Sequence, residues 1–273
     1  MTRRWFATEL ETVATFWRLS RRDGVTLGFT THDRDLWLDG VRHRAAPGMV
    51  PSAIRRSAGF EPDSAEVEGA LSHDAISAAD LAAGRFDGAR VQIGLIDWQS
   101  GESHVVYRGT IGAVSEEAGR FSAELHSRKA ELQQDFVPRT SPTCRAVFCG
   151  PGCTLSAARF EHEASVVSRD VDANCVTFAA GAPVGLFAAG TVRWIDGPHA
   201  GQAMHALAQD GAALVLDRPI DPALATGTRA MLREGCDRTL DTCAARFANA
   251  VNFQGEPFLP GNDLVARYPS PAS

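Results

Sequence analysis

The sequence contains a single lysine, Lys129, so its other strongly basic side chains are arginines. It also lacks any apolar run near the roughly 18 residues that a membrane-spanning helix requires. Glu9 and Glu11 interrupt the N-terminal segment, which excludes the continuous apolar core of a signal peptide. These absences predict a protein with no membrane span, synthesised in a reducing bacterial cytoplasm.

Motifs of several common chemistries are missing as well. The chain has no G-x-S-x-G, H-E-x-x-H, H-x-x-E-H or G-x-G-x-x-G motif. Its basic residues are scattered and its formal net charge is -6, which argues against a nucleic-acid surface. His32 and Asp33 resemble a base with its orienting carboxylate, but a charged loop beside a strand is the commoner situation. We therefore predict that the protein is not an enzyme.

Five Asp-Gly dipeptides, the strongest local signal for a β-hairpin, occur in both halves of the chain. Between them lie segments rich in β-branched and aromatic residues: Val13–Leu19, Val25–Thr31, Val91–Trp98, Val105–Arg108, Phe121–Leu125, Thr191–Ile195 and Leu214–Leu216. This pattern predicts a mainly β protein with two antiparallel, barrel-like domains and a few short helices. A proline at 138 and the polar segment after it predict domains at 1–139 and 140–273.

Three short helices are predicted from local signals. Ser77–Gly84 begins with a capping serine and ends in glycine. Ser127–Asp135 is rich in helix formers and stops before the proline at 138. A third helix is expected to have Cys243 in its first turn and to continue through Phe247 and Asn249.

All six cysteines lie in the second half: Cys144, Cys149, Cys153, Cys175, Cys236 and Cys243. Without a secretory signal, a disulfide framework is the weaker interpretation. Cys175 is expected to be a small buried hydrophobic residue. The others lie in loops or at a helix start, where four thiolates suit zinc or an iron–sulfur cluster. Their spacing within each group is wider than in zinc ribbons, and it leaves both metals open.

The segment 235–257, GCDRTLDTCAARFANAVNFQGEP, with the Pro-Gly at 260–261, resembles the C-terminal signature of lambda-type minor tail protein L. Cys144-Arg-Ala146, with Cys153 nine residues after Cys144, resembles the upstream segment of the same family, the tail hub proteins of phages and gene transfer agents. The resemblance covers most of the chain, because it extends to Phe29–Asp33, Glu66–Gly69, Ala79–Gly84 and Gly109–Gly112.

This resemblance implies a structural hub, usually a homotrimer, at the distal end of a tail tube. It also implies an iron–sulfur cluster of the 4Fe-4S type, which stabilises the C-terminal domain and whose ligands by position are Cys144, Cys153, Cys236 and Cys243. Cys149 is the alternative to Cys153, because the turn 148–152 departs from the usual family pattern.

The partners implied by the resemblance are a distal tail protein, a tail-tip or fibre host-specificity protein, a tail-associated peptidase and the tape measure protein. The implied location is the bacterial cytoplasm during assembly and then the tail tip of a virion or gene transfer agent particle. Two other interpretations remain: a zinc-stabilised, cysteine-caged binding module and an iron–sulfur redox protein.

Overall fold

The computed structural model describes residues 11–46, 50–51, 64–70, 76–77, 80–81, 83–117, 120–133 and 136–258. The chain forms two compact units, 1–135 and 136–273. The sequence predicted that the second domain begins at residue 140. The first ten residues and the Pro-Gly at 260–261 lie outside the described part. No helix within the described ranges is long and apolar enough to cross a bilayer.

The first unit is one nine-stranded sheet with the strand order β3-β4-β2-β1-β7-β8-β9-β6-β5. Its strands are β1 (Val13–Ser20), β2 (Thr26–Thr30), β3 (Leu36–Leu38), β4 (Val41–Ala45), β5 (Val50–Pro51), β6 (Ser64–Ala70), β7 (Arg90–Asp97), β8 (Ser103–Glu117) and β9 (Arg120–Ser127). The β2–β4 pair is parallel and the other pairs are antiparallel. The prediction of a barrel-like domain in this half was therefore wrong, because its strands form a single sheet.

Both faces of this sheet carry apolar clusters, as β1 illustrates. Trp17 and Leu19 point into the larger cluster, whereas Ala14 and Phe16 join a smaller one. Successive side chains of a strand alternate between faces, so one apolar strand supplies both clusters. The near-continuous apolar sequence of β1 follows from burial on both sides.

The second unit contains a closed six-stranded barrel with the order β10-β11-β14-β13-β12-β15. Its strands are β10 (Glu161–Asp170), β11 (Cys175–Ala179), β12 (Thr191–Trp194), β13 (Ala203–Asp210), β14 (Ala213–Leu216) and β15 (Arg229–Arg233). The barrel core includes Phe187, Trp194, Met204 and Leu232. A barrel was predicted here and is confirmed. Cys175 is 8% exposed in β11, which confirms its predicted burial.

Four of the five Asp-Gly dipeptides lie between paired antiparallel strands, as predicted. At the β3–β4 turn, Asp39 and Gly40 both have positive φ, 51° and 75°, as a tight two-residue hairpin demands. The Asp-Gly at 87–88 differs, since it precedes β7 and its glycine N–H bonds to the carbonyl of Ile111.

The helical predictions were partly correct. Ser77 accepts a hydrogen bond from the Asp80 N–H, and Gly84 has a φ of 66°, which confirms the predicted cap and stop. Arg128–Gln133 is a 3-10 helix rather than an α-helix. The α-helix around Cys243, α1 (Leu240–Ala245), ends earlier than predicted. Further 3-10 helices are Ala157–Arg159, Val184–Phe187 and Ala250–Asn252.

Candidate metal centre

Four cysteines line one cavity in the second unit: Cys144, Cys153, Cys236 and Cys243. The cavity is small, with a volume of about 20 Å³. Two of the cysteines come from the loop before β10, one from the segment after β15 and one from α1. These are the four residues that the family resemblance implied, and the fold brings them to one place. No three His, Cys, Asp or Glu side chains in the described ranges converge as ligands of a single metal ion.

The position of Cys243 depends on how α1 begins. Thr239 caps the helix by accepting a hydrogen bond from the Thr242 N–H at 3.2 Å. Asp237 fixes the cap in turn, because its carboxylate accepts the N–H and hydroxyl of Thr239, both at 2.9 Å. Cys243 is the fourth residue after the cap and is 9% exposed. A well-fixed helix start therefore directs one sulfur toward the cavity.

The helix ends soon after this cysteine because the backbone changes handedness. Ala248 has a φ of 50°, and its N–H bonds to the carbonyl of Ala244. The N–H of Asn249 bonds to the carbonyl of Cys243. A left-handed residue just past a helix is a common terminator, usually glycine, so an alanine there gave no sequence signal.

The loop that carries Cys153 is a series of tight turns. The N–H groups of Cys153 and Thr154 both donate to the carbonyl of Gly150. Cys149, Gly152 and Thr154 have positive φ values of 59°, 85° and 61°. Cys153 lines the cavity and Cys149 does not, although Cys149 is close enough to interact electrostatically with Cys153.

Main-chain and side-chain bonds tie the two cysteine segments together. The Cys144 N–H donates to the carbonyl of Arg238 at 2.8 Å. The side-chain amide of Asn249 donates to the carbonyl of Cys153 at 2.7 Å, and Asn249 itself is only 6% exposed. Asn252 then donates to the Asn249 carbonyl oxygen at 2.7 Å. The sequence predicted only that Asn249 continues the helix of Cys243, so this bridge, whose partners lie 96 residues apart, was missed.

A small aromatic cluster packs beside the cavity. Phe148 and Phe247 have ring centroids 4.8 Å apart, and Phe160 lies 5.4 Å from each. Phe148 and Phe247 also line the cavity. Aromatic pairs at such distances contribute about 0.5–1.5 kcal/mol beyond their buried area. The cysteine loops therefore have an apolar core of their own.

Several N–H groups point at the cysteine sulfurs. The Gln254 N–H lies 3.3 Å from the Cys144 sulfur, and the Asn249 side-chain amide lies 3.7 Å from the Cys153 sulfur. The backbone N–H of Arg238 bonds to Cys236. The Arg238 N–H lowers the pKa of the Cys236 thiol, against the larger effect of burial, as N–H donors to a sulfur do in general. They are also the groups that tune metal–sulfur centres.

Burial acts in the opposite direction. It raises the pKa of the Cys236 and Cys243 thiols above the ordinary value. Burial, with the neighbouring Cys153, raises the pKa of Cys149 to about 11. Because a metal binds thiolates, any metal bound by these thiols would release protons, and its affinity would fall with falling pH.

An ion pair joins the start of the unit to its last described turn. The Arg145 guanidinium forms two bonds with the Glu256 carboxylate, at 2.7 and 2.9 Å. Glu256 also accepts the Ser141 N–H at 2.8 Å, and its own N–H donates to the Ser141 carbonyl at 2.7 Å. The bond to Arg145 is the main reason that the pKa of Glu256 falls to about 2. We call this pair the Arg145–Glu256 clamp.

Glu256→Gln will loosen segment 139–145, because a neutral amide cannot form the charged two-bond pair. Limited proteolysis at pH 7 will show faster cleavage of this segment in the variant than in the wild type. Since the pKa of Glu256 is lower in the folded state, its stabilising effect is complete above about pH 4.5 and is lost as the pH falls toward about 2.

Glu163→Gln is the matched control, since Glu163 is exposed and its ion pair with Arg229 is longer, 3.7 Å. It should leave cleavage of segment 139–145 unchanged. Equal cleavage of wild type and Glu256→Gln would contradict the role of the clamp.

His32 and Asp33, the candidate catalytic pair, lie 3.1 Å apart between ring Nδ1 and carboxylate. Nδ1 of His32 also accepts the N–H of Arg34 at 3.0 Å, and the imidazole packs near Trp98. Asp33 is 81% exposed. In a catalytic pair, the carboxylate would orient His32 by bonding to Nδ1. Here Nδ1 already accepts a hydrogen bond from within the same loop.

Comparison with known proteins identifies related chains. The family model "Baseplate hub protein, N-terminal attachment domain" matches residues 2–156, more than half of the chain, including Cys144 and Cys153. A second, "Phage conserved hypothetical protein BR0599", matches residues 185–263, including Cys236 and Cys243. No curated protein matches at a significant level.

A solved structure is similar over nearly the whole length. A chain of "Virion of native gene transfer agent (GTA) particle" is 33% identical to this chain, with a TM-score of 0.83. The match covers 98% of this chain and 95% of that chain. Sequence family and fold agree with the resemblance drawn from residues 235–257. This chain therefore belongs to the baseplate hub protein family.

Proposed function

We propose that this protein is the structural hub at the tail tip of a phage-like particle or gene transfer agent, where it joins the distal tail tube to the tip. The observation that carries the proposal is the match over 98% of the chain to a component of a gene transfer agent virion. The role is mechanical rather than catalytic. After assembly in the bacterial cytoplasm, the protein resides at the tail tip.

We further propose that a 4Fe-4S cluster is bound by Cys144, Cys153, Cys236 and Cys243. The donor set fits, because four thiols line one cavity and N–H groups are directed at three of their sulfurs. A polynuclear cluster separates its ligands around a shared volume, which suits cysteines that surround a cavity. Cys153 is preferred to Cys149 because it lines that cavity.

The cluster's contribution would be a cross-link. When bound, it would connect the loop 144–153 covalently to the segment 236–243. The bond from the Cys144 N–H to the Arg238 carbonyl already joins these segments. Asn249 and the Arg145–Glu256 clamp join the loop 144–153 to the residues that follow Cys243. The hydrogen-bonding residues thus position the four cysteines, and a bound metal would hold the cysteines in those positions. A tail tip must withstand force during ejection, and such a cross-link resists the separation of the two loops.

Zinc is the alternative metal, and it would make the second unit a cysteine-caged binding module. An iron–sulfur redox role is the other alternative. Donors aimed at the sulfurs would tune the reduction potential of a redox cluster as readily as they stabilise a structural one. A redox role predicts reversible reduction by a physiological donor, whereas the structural role predicts unchanged particle assembly when the cluster's oxidation state is changed.

The proposed assembly is a homotrimer that contacts the distal tail protein, the tail-tip or fibre protein, the tail-associated peptidase and the tape measure protein. Native mass spectrometry of the purified protein should give three copies of the 29.2 kDa chain. Particles produced without this gene should have tails that lack the tip, and expression of the chain in trans should restore it. A monomer, together with normal tips in its absence, would contradict the hub role.

A further inference from the structure

The strongest feature not used by the proposed function is a groove on the sheet of the first unit. It has a volume of about 640 Å³ and lies across β7, β8, β9 and the 3-10 helix that follows them. Its polar lining residues include Arg90, Gln92, Arg108, Thr110, His126, Arg128 and Glu131. A pocket of this size is in the range that proteins use for ligands.

The strand register arranges these residues in two rows. Arg90 lies opposite Thr110, which lies opposite His126. Gln92 lies opposite Arg108 in the next row on the same face. Positions two residues apart on a strand are about 7 Å apart. Each row therefore presents an arginine, and the rows repeat at the spacing of a β-strand.

The groove is positively charged, whereas the protein as a whole is negatively charged. Three arginines face a single glutamate in its lining, although the whole chain has a net charge of -6. Arg90, Arg108 and Arg128 are all exposed. They belong to three different elements, so the sequence showed only scattered basic residues. The pairing of β7, β8 and β9 brings these three arginines close together.

From this geometry we propose that the groove binds an extended, acidic peptide segment of a partner protein. Arginine guanidinium groups bind carboxylates through paired hydrogen bonds. Acidic side chains at every second residue of an extended peptide would meet both rows, because their spacing equals that of the rows. This inference goes beyond the hub role and does not depend on the metal, since it concerns only the first unit.

A nucleic acid is less well suited to this surface. Its backbone carries a negative charge at every unit, and Glu131 stands in the lining, 3.9 Å from Arg128. A peptide with alternating acidic and neutral residues can keep its neutral positions near this carboxylate.

The test uses the full chain and a fluorescein-labelled peptide in which glutamate and threonine alternate. Fluorescence anisotropy should detect binding, and a peptide with glutamine in place of glutamate should not bind. Arg90→Ala and Arg108→Ala should each weaken binding about tenfold. Arg193→Ala, which removes an exposed arginine from β12 in the other unit, should leave affinity unchanged.

Four results would overturn the proposal. The first is no binding of the acidic peptide. The second is binding that Arg90→Ala and Arg108→Ala leave intact while circular dichroism shows both folded. The third is tighter binding of single-stranded DNA of equal charge with the same arginine dependence, which would make the groove a nucleic-acid site. The fourth is displacement by millimolar phosphate together with equal binding of a peptide of the same composition whose glutamates are consecutive, which would make the groove a general anion site.

Discussion

Replacing Cys144 or Cys236 with serine should abolish binding of the proposed cluster and free two loops while the barrel stays folded. The barrel core contains none of the four cavity cysteines and is built from side chains such as Trp194 and Leu232. The cysteine segments pack around the small cluster of Phe148, Phe160 and Phe247, and the proposed metal would cross-link them. Limited proteolysis of the variants should therefore cut within 136–156 and 236–258, and a resistant fragment covering the barrel should remain.

Cys149→Ser is the matched control for this experiment. Cys149 lies in the same loop but does not line the cavity, so its variant should keep iron and resist protease like the wild type. Cys153→Ser should behave like Cys144→Ser. If Cys149→Ser lost the metal and Cys153→Ser kept it, the ligand assignment would be wrong at this position. Global unfolding of Cys236→Ser would instead show that the barrel depends on the metal.

Gly235→Ala should destabilise the second unit by roughly 1–3 kcal/mol or more, as overpacking of a close-packed site does. A Cβ at this position would overlap the carbonyl oxygen of Ala188. The backbone cannot easily retreat, because the Gly235 N–H bonds to Leu186 and its carbonyl accepts the Arg246 guanidinium. Any shift would also move the next residue, Cys236. Thermal unfolding should show a lower transition temperature, and metal content should fall.

Gly185→Ala provides the control. A Cβ there would meet only the end of the Gln209 side chain, which can rotate away. Its transition temperature should remain close to that of the wild type. A Gly235→Ala protein with wild-type stability and metal content would contradict the steric role assigned to this glycine.

Local features of the fold were predictable because short-range chemistry determines them. The Asp-Gly turns and alternating segments located most hairpins, and the Ser77 cap and Gly84 stop were read correctly. The length of α1 was not, since Ala248 adopts a left-handed backbone that alanine seldom takes. The parallel pairing of β2 with β4 could not be predicted from the sequence either, because pairing between non-consecutive strands depends on the whole sheet.

The candidate site was also predictable only in part. The cysteines were visible in the sequence by residue type, and the resemblance grouped them. The residues that hold their loops were not recognisable, because each one's partner is distant in sequence. Arg145 and Glu256 are 111 residues apart, and Asn249 bonds to a carbonyl 96 residues away. Only the fold reveals that these polar side chains connect the two cysteine segments.

The most direct test of the central claim is the metal content of the wild-type protein. The chain would be expressed with iron supplied, purified without oxygen, and assayed for iron, acid-labile sulfide and zinc per chain. The account predicts a brown protein with near-equal iron and sulfide and almost no zinc. Zinc without sulfide would contradict the iron–sulfur centre, and the absence of both metals would contradict the four-cysteine site itself.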